Sequence, residues 1–236
     1  TPRPARTWCA TCCAAWASLW HDMLTELFMA LLALTASLAT RPWRLLAAVK
    51  GPDGEPQASP LLTPLLATLV LQPWLWALPA LHAMPLQLQW SGACLVVLML
   101  GWPLAVPVML GVGAITGLIS PMDWQQSLHA TVWQGLVPGT LALLMGALLR
   151  RLTGEQMFVY ILGRAFLGTV LCVFTTAVLA QWIGSPLPGV DAQLSLVAHW
   201  LMAWGDAIVT GMLCAIFVAF RPQWLATWSD RLYLRP

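Results

Sequence analysis

The sequence predicts an all-α fold: a polytopic membrane helix bundle of about seven transmembrane helices, N-out and C-in. Three observations lead there. Eleven Lys and Arg and nine Asp and Glu are the only charges in 236 residues, and none lies between Pro56 and Met122. A soluble domain of this size could not clothe its surface with so few. The apolar stretches are long enough to cross a bilayer core, which takes roughly 20 residues of helix. The gaps between them carry Lys and Arg mainly on alternate turns of the chain, the signature of a cytoplasmic side.

Residues 1–21 read as an N-terminal extension. Arg3 and Arg6 followed by apolar residues 7–20 imitate a signal peptide, but His21, Asp22 and Glu26 follow without a small-residue cleavage site. The first span runs from Asp22 to Thr40 and stops at Arg41-Pro42-Trp43-Arg44, before a polar loop, 50–56, whose Pro and Gly bar a helix. The second covers Leu61 to Ala80, with Pro64, Pro73 and Pro79 as expected kinks. Residues 88–100 and 104–119 form a short pair divided at Gly101-Trp102-Pro103, each tilted or partly re-entrant. The fifth span covers 126–149 and ends at Arg150-Arg151. The sixth covers 156–182, Gly184 to Gly189 turn the chain, and the seventh covers 194–220. Residues 22–220 thus make one transmembrane domain, and 221–236 a basic cytoplasmic tail.

With seven spans, Arg41, Arg44, Lys50, Arg150, Arg151, Arg221, Arg231 and Arg235 share the inner side. Fifteen Trp against two Tyr, many at span ends, suit the headgroup layer. Cys9, Cys12 and Cys13 could bind metal or accept a lipid, yet no second Cys/His pair stands at finger-like spacing. Cys94, Cys172 and Cys214 fall inside spans, where Cys acts as a small hydrophobe.

Few polar residues are placed inside the bundle, and they carry the functional expectations. Asp206 sits mid-span in the last helix and must face a cavity or partner. At 100° per residue His199, Ala203, Asp206, Thr210 and Phe217 form one stripe, which reads as the wall of a solute site open outward. His199 and Asp206 stand about 10 Å apart along the axis and cannot share one ion unaided. Arg164 either snorkels inward, pairs with Asp206 or touches the solute. His21, His82, His129 and His199 all fall toward the outer side, as do Asp22, Glu26, Asp123 and Asp191. This makes His129, His82 and His21 candidate ligands for a transition metal. Gly113-x-x-x-Gly117 and Gly135-x-x-x-Gly139 permit close helix approach. No phosphate-binding G-x-x-x-x-G-K-[ST] loop, H-E-x-x-H helix or G-x-S-x-G elbow is present, so no catalytic residues are expected and ATP would have to be hydrolysed elsewhere.

Three blocks carry a resemblance: Leu86 to Ala105; Phe158 to Ile161 with Phe166 to Gly168; and Gly205 to Met212 followed by Phe220 to Leu225 and Asp230 to Leu234. In this order they resemble the membrane permease subunits of energy-coupling-factor (ECF) ABC transporters, in the cobalt/nickel (CbiM-like) branch and its proteobacterial relatives. The resemblance spans residues 22–234. It implies a seven-helix substrate-capture subunit of a bacterial inner membrane, working with a transmembrane coupling subunit and ATPase subunits, with Co²⁺ or Ni²⁺ as the first-guess cargo and no resident cofactor or nucleic acid. Relatives carry an acidic residue at Asp206 and often Asn at Thr210 and Arg164. The branch's Met-His start is missing here, and Gln87 and Gln89 stand near its later His. Either His21, His82 and His129 build another metal site, or the solute differs. The alternatives are a membrane-embedded enzyme or assembly factor, and a structural membrane protein without transport.

Overall fold

The computed structural model describes residues 7–47, 49–50, 56–82, 90–153, 156–183 and 192–228, without the side chains of 7–19, 21–22, 49–50, 56–57, 153 and 192. Most of the 50–56 loop, the 184–189 turn, Gln87, Gln89, Asp191 and the tail beyond Trp228 lie outside the described residues. So do the first six residues, with Arg3 and Arg6, and the side chains of Cys9, Cys12 and Cys13.

Among the described residues the regular structure is helical apart from a two-residue antiparallel pairing of Val49–Lys50 with Pro56–Gln57. Helix α1 runs Thr7–Ala39, α2 Leu62–Leu81, α3 Ala93–Leu100 and α4 Trp102–Ile119. Helices α5 (Trp124–Ala130) and α6 (Val137–Thr153) are joined without a break by a π-helical segment, Thr131–Leu136. A second π segment, Val159–Leu167, leads into α7, Gly168–Trp182, and α8 spans Ala192–Phe220. Five described stretches are long and apolar enough to cross a membrane: α2, α4, Trp124–Leu152, Val159–Trp182 and Gln193–Phe220. Met23–Ala39 within α1 is a shorter apolar helix.

The surface is strongly apolar, and polar side chains are buried inside. Leu66, Val70, Leu71, Leu171 and Leu201 are exposed, while Gln72, Thr68, Thr169, Thr210 and Asp206 are buried. Water would reverse that arrangement; a hydrocarbon surround favours it, because unsatisfied polar groups are costly in lipid. The glycine pairs serve internal packing. A Cβ on Gly113 would meet Thr131, and one on Gly117 Ser127; Gly135 lies against Trp76 and Met109, and Gly139 against Val97.

Two prolines shape the interior. Pro107 has no N–H to offer the carbonyl of Pro103, one turn back. That oxygen accepts instead from the Ser37 hydroxyl of α1, at 2.5 Å. Pro138 likewise frees the carbonyl of Gln134, and the Ser91 hydroxyl fills it at 2.6 Å. Each serine thus satisfies a backbone group that lipid would leave bare.

The expected span 88–100 takes an unexpected form. Helix α3 has 8 residues, so it is about 12 Å long and cannot cross a core of about 30 Å by itself. Every residue from Ser91 to Leu100 is buried. Its final residues meet the segment that follows α8: Ala226 N–H donates to Met99 O at 2.8 Å, and the Thr227 hydroxyl donates to Leu98 O at 2.9 Å. Its start lies at mid-length of α2 and α8. Gly101, at φ 74°, then turns the chain into α4. Ends of α1, α3 and α8 therefore meet at one end of the bundle, where Arg41, Arg44 and Arg221 are exposed.

Candidate functional site

The break before α3 assembles the candidate site. Gly92 takes a left-handed conformation at φ 63°, which glycine adopts without the usual steric penalty. The turn it makes exposes backbone groups that cannot enter a helix ladder, and α2 and α8 reach in to satisfy them. From α2, the Gln72 amide donates to Ser91 O at 2.8 Å, and the Trp76 indole N–H donates to Trp90 O at 3.0 Å. The π segment supplies the Gln134 carbonyl already described. From α8, Asp206 Oδ2 accepts the N–H of Ser91 at 3.1 Å and that of Gly92 at 3.4 Å. A carboxylate is the favoured partner at a helix N-terminus, where the dipole is positive.

Asp206 is 2 % exposed. Its Oδ1 has no hydrogen-bond partner, nor has the fully buried Thr210 hydroxyl one helical turn on. The Trp90 indole flanks the same carboxylate and its N–H is also unpartnered. Cys94 of α3 meets Cys172 and Thr169 of α7 alongside. The result is a walled interior point at the junction of α2, α3, α7 and α8. It has one carboxyl group with an oxygen to spare and a hydroxyl free to donate or accept.

The residues expected to act together divide into separate places. Asp206 and Thr210 are brought together, and the α8 stripe does face inward: Ala203 and Thr210 are fully buried. His199 uses Nδ1 on Ser195 O of its own helix, at 2.8 Å, about two turns from Asp206. Arg164 forms no ion pair with Asp206; the Glu26–His129 contact is the salt bridge found among the described residues. The guanidinium lies instead toward Cys214, against Gly146 and over the Tyr160 ring at 5.7 Å. The cause is register. Phe166 packs on Gly211 and on Trp204, placing Arg164 about two turns along α8 from Asp206.

Of the histidines expected to hold metal, His82 and His129 have separate partners. His82 is exposed and turns Nδ1 onto Leu78 O of its own helix at 3.0 Å. The His21 side chain lies outside the described residues. His129 pairs with Glu26 of α1, whose Oε1 also accepts from the Trp133 indole at 3.2 Å. Glu26 is 5 % exposed, so this contact pins α1 to the helix that begins at Trp124. Among the described residues no group of three His, Cys, Asp or Glu could hold a metal ion.

Sequence reasoning passed over Gln72, Trp76, Trp90, Ser91, Gly92 and Gln134. One signal was present: Ser91-Gly92 interrupts an apolar run ten residues before the Gly101 divide. No protein-family model, no curated protein and no solved structure matches the chain.

Proposed function

We propose that this multi-pass membrane protein is the solute-capture subunit of an energy-coupling-factor type transporter in a bacterial inner membrane. It works with a membrane coupling subunit and ATPase subunits, and has no catalytic residues of its own. The observation that carries the reading is the discontinuous helix at mid-depth. Broken helices buried at the bilayer midplane are where transporters build substrate and ion sites. Here the break meets an unspent carboxylate oxygen and two other unpartnered buried polar atoms. Counting the half-helical pass that ends at Leu100 as a crossing gives seven. That count leaves Arg41, Arg44, Arg150, Arg151 and Arg221 on the cytoplasmic side, with the N-terminus outside.

Asp206 and Thr210 are the proposed solute contacts. His199 lines the approach from the other end of α8, and Arg164 holds the inner end of the helix set. A transition-metal cargo remains the first guess of the resemblance, and would need ligands beyond those that meet among the described residues. The test is binding to the purified chain of Co²⁺, Ni²⁺ and a panel of small organic solutes by calorimetry. It is paired with uptake in cells carrying the native partners. Binding and uptake lost together in Asp206→Ala support the reading. Uptake unchanged in both Asp206→Ala and Thr210→Val refutes it.

A further inference from the structure

We infer that Asp206 and Thr210 hold a singly charged cation, a proton or an alkali ion, inside the bundle. This deepens the transport reading of the same site and rests on Asp206 being a ligand-facing group. The charge argument comes first. Asp206 is buried with no ion-pair partner among the described residues. A buried carboxylate without a counter-charge is strongly disfavoured. The basic side chain of Arg164 is held two turns away against Gly146.

The remaining neighbours bring no charge. Helix α2 presents Gln72 and Trp76, the first π segment Gln134, and the break Trp90. The titratable groups facing the site are thiols, Cys94 on α3 and Cys172 on α7, with Cys214 further along α8. The N-terminus of α3 offers about half a positive charge through its backbone dipoles. A monovalent cation then leaves an excess of about half a charge, against about one and a half for a divalent ion. A protein-held transition metal also takes three or four side-chain ligands, and no such group stands among the described residues.

Geometry agrees with charge. Two backbone N–H groups hold Oδ2, while the Trp90 indole and the Thr210 side chain face the same carboxylate. The Thr210 hydroxyl lies on the same helix face one turn on, with no partner of its own. A proton on Oδ1 would be donated to Thr210 Oγ1. An alkali ion would take both oxygens as ligands.

The experiment uses the full chain in detergent. Its thermal midpoint is followed in LiCl, NaCl and KCl against choline chloride at constant ionic strength. Infrared spectra are recorded across a pH series. Either a saturable rise with one alkali ion or the carbonyl stretch of a buried carboxylic acid is expected. Each should vanish in Asp206→Asn, and Thr210→Val should weaken the apparent affinity about tenfold. If Asp206→Asn does not fold, Thr210→Val and the spectrum of the native chain decide. Midpoints indifferent to every cation, with Asp206 ionised throughout, overturn the inference; so does a dependence left unchanged by either substitution. Cation binding without solute uptake would sink the transport reading alone, and uptake indifferent to the cation would sink this inference alone.

Discussion

Replacing Gly92 by alanine tests the break directly. The residue sits at φ 63°, and an added Cβ would come within 2.7 Å of Gln72 Nε2 and 2.9 Å of its Oε1. The left-handed backbone alone costs an L-residue about 1–2 kcal/mol. Relief of the clash requires Gln72 to withdraw, which gives up its 2.8 Å bond to Ser91 O and leaves a buried amide unsatisfied, about 1–3 kcal/mol more. Gly92→Ala should therefore destabilise the protein by about 2–5 kcal/mol. Because the second of these costs passes through Gln72, the double variant Gly92→Ala/Gln72→Ala should be less destabilised than the sum of the singles, by about 1–3 kcal/mol. Reversible unfolding in mixed micelles, followed by circular dichroism, gives the four free energies. A Gly92→Ala cost below about 0.5 kcal/mol, or strict additivity with Gln72→Ala, would refute the geometry of the break.

Three further predictions concern other contacts. Ser37→Ala bares the carbonyl of Pro103 and should cost about 1–3 kcal/mol; adding Pro107→Ala restores a backbone N–H and should recover much of it in the same unfolding assay. Glu26→Ala removes the acceptor shared by His129 and Trp133. It should lower stability by about 1–3 kcal/mol and make α1 the first helix reached by protease, with no such change in Asp123→Ala, whose side chain is exposed. A Cβ at Gly146 would fall 2.6–2.8 Å from the Arg164 guanidinium. Gly146→Leu should therefore destabilise, and Gly146→Leu/Arg164→Ala should be milder than the single change by thermal midpoint.

Much of the architecture was legible because lipid constrains it so tightly. Stretches such as Leu62–Leu81 and Ala192–Phe220 begin and end within two residues of where apolar length and Pro/Gly punctuation put them. The buried stripe of α8 followed from its period, and Asp206 and Thr210 do meet. What escaped was pairing between helices. A helical wheel turns both Arg164 and Asp206 inward but says nothing of their relative depth, which the packing of Phe166 on Gly211 decides. The Glu26–His129 contact joins residues 103 apart in sequence, so no local pattern announces it. The π segments were hidden as well, since a period read at 100° per residue cannot register one extra residue per turn. Pro138 was the available cue: its missing N–H lies just beyond the first π segment.

The broken third pass has a consequence for how this chain is made. A ribosome delivers helices in order, and each long apolar one can enter the bilayer with its backbone already satisfied. Helix α3 cannot. The carboxylate that accepts from Ser91 is 115 residues downstream, and the hydroxyl that closes on Leu98 is 129 residues away. Until α8 has emerged, the middle of the bundle must wait, held by α2 and by the π segment. Helix α8 is thus the piece that seals the interior. Truncations that spare every earlier span should therefore leave an assembly inserted but open at its centre.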